Sequence, residues 1–176
     1  MKLILFVLII SLYFLNTVQG KEASACFTGK GDRKIKGYVT FTEQRGKKDG
    51  LHVQVKITQG FAQGKKYPYH VHLYKIVNGD CNSTGTHLDP SGVGKKPNYH
   101  CNPKTPNECE AGDLSGKHGD LEIDHSGMAK ASYFDRFISL KGHANGVVGR
   151  SVVIHAAKDR TTRIACADIV MGKCHV

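Results

Sequence analysis

The stretch "LHVQVKITQ", residues 51–59, puts Leu51, Val53, Val55 and Ile57 on one side of an extended chain. His52, Gln54, Lys56 and Thr58 fall on the other. Successive side chains of a β-strand point to opposite faces, so this alternation predicts a strand with one face on a core and one in water. Segments 34–42, 68–77, 129–138, 150–156 and 163–171 carry related patterns, and no stretch has the spacing of a long amphipathic helix. Turns such as "QRGKKDG", "VNGD" and "PSGVG" separate them. Short strands divided by turn signals predict an all-β sandwich or barrel. Residues 78–118 break the pattern: they are rich in Gly, Pro, Asn, Cys and His. A loop of that length in a small domain is ordinarily functional.

The chain begins "MKLILFVLIISLYFLNTVQG". Lys2 is followed by an uncharged apolar run, Leu3 to Leu15, and by Val18-Gln19-Gly20, a small-residue cleavage pattern. Residues 1–20 read as a secretory signal peptide, and 21–176 as one domain. No later apolar run is long enough to span a bilayer, and the C-terminal "MGKCHV" lacks a lipid-anchor tail. The expectation is a soluble, secreted protein. All six cysteines, at 26, 81, 101, 109, 166 and 174, lie after residue 20. An even count in a secreted chain predicts three disulfides, with the pairing open. Asn82-Ser83-Thr84 is one glycosylation acceptor.

The formal net charge is +10. Such a surface attracts anions, from small substrates to anionic cell-surface or wall polymers. The basic residues are scattered and no nucleic-acid motif is present, which argues against a nucleic-acid partner.

The run "YHVHLY", 69–74, places His70 and His72 on one strand face, because residues i and i+2 share a side. Two neutral imidazoles on one face can chelate a metal ion. His87, in "THLDPSG", and His155, closing "GRSVVIHAAKD", add two more from separate segments. Four imidazoles in tetragonal geometry suit Cu(II).

These residues resemble the copper/zinc-type superoxide dismutases. The likeness runs from about Lys34 to Val170, through "YHVHLY", "GDCNSTGTHLDPSG", "GDLSGKHGDL", "GRSVVIHAAKD" and "TRIACADIV". It implies an eight-stranded Greek-key β-sandwich or barrel with long metal-site loops. It implies His70, His72, His87 and His155 as copper ligands, Cys81–Cys166 as the family disulfide, and Arg163 as the guanidinium that docks the superoxide anion. Within that fold the terminal strands run side by side. Cys26, beginning the first strand, is then expected to clamp to Cys174 after the last. Cys101 and Cys109 frame "CNPKTPNEC", whose Pro and Asn suit a locally bridged turn.

The departures from the bimetallic pattern point one way. Asp113 matches the zinc aspartate. The last zinc histidine is replaced by Glu110, and Lys95 stands about eight residues after His87, where another should be. His100 has the wrong spacing. "AAKDRTT" is far shorter than the family's electrostatic loop. These features resemble the secreted fungal copper-only superoxide dismutases, in which a glutamate at the Glu110 position supports the bridging histidine. The resemblance implies an enzyme that uses copper without zinc, with His87 and Glu110 joining Arg163 in catalysis. Asp113 is expected as a second acceptor near the site or as a loop cap. The alternative is a secreted copper-binding module without turnover. A monomer is favoured. His52, His100, His118, His125, His143 and His175 are not expected as ligands, and His118 is expected to pack.

Overall fold

The structure is a computed structural model, and it describes residues 20–29, 34–44, 46, 49–142 and 144–175. The signal peptide expected at 1–20 lies outside the described residues, apart from Gly20. Among the described residues nine strands form: β1 (Glu22–Thr28), β2 (Lys36–Thr42), β3 (Leu51–Gln59), β4 (Lys66–Tyr67), β5 (Tyr69–His72), β6 (Leu121–Glu122), β7 (Ala129–Asp135), β8 (Ser151–His155) and β9 (Arg163–Met171). A five-residue helix, α1 (Leu114–His118), sits in the long loop.

Seven strands make one antiparallel sheet in the order β5-β8-β9-β1-β2-β3-β7, and β4 pairs with β6. The two pieces share one extended run, broken where Pro68 separates β4 from β5. Proline has no N–H to give to a ladder. Its carbonyl still accepts from His155 N at 2.8 Å. Counting β4 and β5 as one bent strand gives the eight expected. The sheet curls so that β6 lies beside β7. The crossings from β3 to β4 and from β7 to β8 are of the Greek-key kind.

The inward faces follow the alternation. Leu51, Val53, Val55 and Ile57 are buried, with Val39, Phe41, Val71, Val152, Ile154 and Ile169 against them. Each such side chain contributes about 1.5–3 kcal/mol of hydrophobic stabilisation. At Gly37 the β2–β3 register shifts, φ is +144°, and a Cβ would come within 2.2 Å of Lys56 O. Only glycine admits that approach.

The largest departures from expectation are two strand ends and one strand. The run expected over 68–77 leaves the sheet after His72, because Leu73 N and Tyr74 N bond back to Thr86 O and Thr84 O. The run expected to 138 ends at Asp135, whose carboxylate takes the Phe137 N–H at 2.8 Å and diverts it from the ladder. β1 was not among the predicted segments, since its alternation runs through small residues, Ala23 and Ala25, before Phe27. Cys26 is therefore the fifth residue of β1 rather than its start.

The structure pairs Cys26 with Cys174, Cys81 with Cys166 and Cys101 with Cys109, so no cysteine is free. β1 and β9 are neighbours, with Ala25 opposite Ile169, which brings the two termini of the domain together for the first of these. Among the described residues, no helix is long and apolar enough to cross a membrane.

Candidate metal centre

His70 and His72 sit on β5 and His155 ends β8, the adjacent strand. The neighbouring residues Tyr69, Val71 and Ile154 point into the core, so alternation turns the imidazoles to the other face. That face is not solvated, because the long loop covers it. His70, His72 and His155 are 4%, 1% and 3% exposed.

His87 comes from the loop and is held by a backbone knot. Leu88 N donates to Val71 O at 2.9 Å, Gly112 N to Leu88 O at 2.7 Å, and Val71 N to Gly112 O at 2.9 Å. Three segments thus meet: one carries His70 and His72, one His87, and one Glu110 and Asp113. A Cβ on Gly112 would lie 2.3 Å from Val71 O, so the crossing requires glycine there.

The four imidazoles offer one ligand nitrogen each within 4.8 Å of one another, and among the described residues this is the group suited to hold a metal ion. The His72 and His155 Nε2 atoms are 3.3 Å apart. The remaining nitrogens are mostly engaged. His72 Nδ1 faces Gly85 O at 2.9 Å, His87 Nδ1 faces Glu110 Oε2 at 2.5 Å, and His70 Nε2 lies 3.5 Å from Asp113 Oδ1. Partners of this kind fix the tautomer and orientation of a ligating ring. His70 Nδ1 and His155 Nδ1 are buried with no hydrogen-bond partner. At His70 this leaves an unsatisfied nitrogen inside the cluster, which a metal ion would satisfy.

Electrostatics favour neutral rings. Burial, then the neighbouring His87, holds His70 well below 6.5. The same two causes bring His72 down to about 3 and His155 to about 4. The Thr161 and Arg160 backbone opposes part of the His155 shift, although neither stands at hydrogen-bonding geometry to Nδ1. Neutral imidazole is the form that binds a metal.

Arg163 opens β9 opposite His155. Its Nη1 donates to Cys81 O, Asn82 O and Thr84 Oγ1 at 2.9, 3.2 and 3.0 Å, and its Nη2 to Gly85 O at 2.6 Å. The Cys81–Cys166 bridge ties that turn to β9 three residues beyond Arg163. The guanidinium is therefore fixed on the wall of an open cleft of about 920 Å³ that the four histidines also line. Arg160 lines the same cleft and is paired with Asp120 at 3.2 Å.

Asp113 has two neighbours of note. It caps α1, accepting from Gly116 N at 2.7 Å, and lies beside His70. Lys95 is exposed, and His100 is exposed and outside the histidine group. His118 packs, stacked on Tyr133 with centroids 3.9 Å apart and bonded to Asp135 at 2.9 Å. His52 bonds Ser132 on the outer sheet face, His125 and His175 are exposed, and His143 lies outside the described residues.

One arrangement had no counterpart in the sequence reading. Lys117 Nζ is fully covered, 2.6 Å from Asp135 and 2.7 Å from Ala111 O, so it bolts α1 and the Glu110 loop to β7. Burial pulls Lys117 below 10.5 against the attraction of Asp135. At Asp135 burial pushes the other way, but the bonds from His118 and Lys117 outweigh it and bring the carboxyl below 3.8. The 2.6 Å contact favours the charged form of each partner. An aspartate inside the aromatic run "YFDRF" was the available signal.

Comparison with known proteins agrees with this geometry. The sequence pattern of the copper/zinc superoxide dismutases matches residues 35–172. A Candida albicans cell surface superoxide dismutase [Cu-Zn] 6 is 32% identical over 84% of this chain, which spans 44% of that protein. A cell surface Cu-only superoxide dismutase of Arthroderma benhamiae is 36% identical over 58% of this chain, and the match covers 27% of its length. The chain thus spans less than half of these cell-surface relatives. The solved copper(II) structure of Candida albicans superoxide dismutase 5 superposes with a TM-score of 0.73 at 29% identity, covering 88% of this chain and 94% of that one.

Proposed function

The chain belongs to the copper/zinc superoxide dismutase family, and on that premise we propose that it is a secreted, copper-dependent superoxide dismutase that works without zinc. The observation that carries this reading is the Glu110 carboxylate 2.5 Å from His87 Nδ1, beside a quartet of imidazoles. In a bimetallic site that nitrogen faces a second metal. Here a carboxylate takes it, while Lys95 and Glu110 replace the histidines such a metal would need.

His70 would ligate copper through Nδ1, and His72 and His87 through Nε2, with His155 completing the set. Bound copper supplies the one-electron redox chemistry by which two superoxide ions and two protons become oxygen and hydrogen peroxide. Arg163 attracts the anion and docks it beside the histidines, since a guanidinium is always charged and presents forked donors. When its Nε2 is not holding the metal, His87 would take up a proton there and give it to the departing peroxide, the second proton coming from solvent. Glu110 supports the protonated ring by charge and hydrogen bond and holds Nδ1 in place. The short segment 156–162 leaves the cleft open, so a small anion needs no lid to enter.

Secretion is supported by the leader pattern of residues 1–20, by three disulfides and by cell-surface relatives. The enzyme is favoured over a copper-binding module by Arg163, whose guanidinium lines the cleft beside the histidines, where it would attract an anion. The test is to purify the secreted chain, count copper and zinc per molecule, and assay superoxide removal. One copper, no zinc and rapid removal is the expected result. Zinc held at Asp113 in the active protein overturns the copper-only reading, and copper without turnover favours the carrier.

A further inference from the structure

The loop between His87 and Glu110 carries two glycines that look alike in sequence and are there for different reasons. Gly92 has φ +69°, and a Cβ on it would meet nothing within 4 Å, so the turn itself calls for glycine. Gly94 does not lie in the left-handed region, and its backbone suits any residue. A Cβ on Gly94, however, would stand 1.9 Å from Glu110 Oε1, 2.8 Å from its Cδ and 3.2 Å from its Cγ. Those are its three nearest atoms, and all belong to Glu110.

The Glu110 carboxylate therefore lies in a slot made by a missing side chain. Asp89, two residues after His87, shapes that slot. Its carboxylate accepts from Val93 N at 3.1 Å, Gly94 N at 2.9 Å and Ser91 Oγ at 3.2 Å. Farther along the same loop, the Tyr99 hydroxyl accepts from Glu110 N at 2.8 Å. The loop thus holds Glu110 by its backbone and leaves room for its carboxylate, whose other oxygen is 2.5 Å from His87 Nδ1.

We propose that Gly94 is a positioning residue: its lack of a side chain lets the Glu110 carboxylate reach His87, and Asp89 holds the loop where that space exists. The proposal rests on the role given above to Glu110. Lys95, at the position of the missing zinc histidine, is the next residue, so the segment that would deliver a ligand to a second metal here makes space for its replacement. The obstructing atoms are the end of a flexible side chain. An alanine at Gly94 is accommodated by turning Glu110 aside, not by unfolding. A displacement of about 1 Å takes a contact of this length out of hydrogen-bonding range.

The experiment compares Gly94→Ala, Glu110→Ala and the double variant with the unmodified chain. In the metal-free proteins, long-range ¹H–¹⁵N spectra read the His87 ring nitrogens. Gly94→Ala is expected to move the His87 Nδ1 signal to where Glu110→Ala puts it, and the double variant to match Glu110→Ala alone. At matched copper occupancy, turnover should fall alike in both single variants with no further loss in the double. A Gly94→Ala spectrum that superimposes on the unmodified one, or losses that multiply, overturns the proposal. If Gly94→Ala does not fold, the double variant decides: folding restored by removing Glu110 supports it, and continued failure refutes it. An unmoved His87 signal in Glu110→Ala sinks the reading of Glu110 itself. A moved signal there with none in Gly94→Ala sinks only this inference.

Discussion

The two halves of the histidine site are built differently. His70, His72 and His155 stand on neighbouring strands, buried, with their orientation set by sheet register. His87, Glu110 and Asp113 stand on a loop, and the His87 side chain is 26% exposed. The strand half needs nothing beyond the alternation that builds the core. The loop half needs fasteners: the Val71–Leu88–Gly112 knot, the Cys81–Cys166 and Cys101–Cys109 bridges, and the buried Lys117–Asp135 pair. The lesson is that the rigid half is placed by local geometry, whereas the half assigned the proton chemistry is placed by long-range contacts.

Acid separates the halves most strongly. The three strand histidines have depressed values in the fold. Unfolded chains bind protons near 6.5, and the fold resists them until about 4 at His155 and about 3 at His72. Their contribution to the stability of the metal-free protein is therefore full above 6.5 and falls as pH drops below it. Asp135 is depressed below 3.8, so its contribution begins to fail only below that value. Denaturation of the metal-free protein should show proton uptake on unfolding between pH 6 and 4, approaching three protons. Stability that is flat from pH 7 to 4 would contradict neutral, buried imidazoles.

A single substitution breaks the loop half. Lys117→Met leaves Asp135 buried without its cation, which costs about 3–5 kcal/mol. Lys117→Met/Asp135→Leu removes both charges and should recover most of that loss in urea titrations. It should still loosen the loop, seen as faster amide exchange around Glu110 than around His70. Equal exchange at both would show that the pair does not fasten the loop.

Arg163 spans the division: it lies on a strand and is gripped by loop carbonyls. Arg163→Ala should lower superoxide turnover about tenfold, a barrier change of about 1.4 kcal/mol. Copper content should be unchanged, and the difference should shrink as salt rises. Equal turnover at low and moderate salt would remove its steering role.

The same division governs what could be read before folding. His70 and His72 were legible because a two-residue spacing has one meaning on a strand. β3 was legible because Leu, Val and Ile alternate with polar residues. β1 was not, since alanine and cysteine carry little pattern. The covering of the histidine face and the Lys117–Asp135 pair were hidden for another reason. Each joins residues distant in sequence, and neither leaves a periodic trace. Gly94 was read only as one more loop glycine, because glycine that opens a turn and glycine that makes room for a side chain are spelled alike.

In the proposed function Glu110 stands where a second metal would and keeps the His87 ring supplied with its proton. The measurement is the pH–rate profile of Glu110→Gln against the unmodified protein at equal copper occupancy. An amide supports the protonated ring less than a carboxylate does. Turnover of the variant should therefore fall, and fall most at high pH, where solvent protons are scarce. Superimposable profiles would reduce Glu110 to a loop residue and contradict the account.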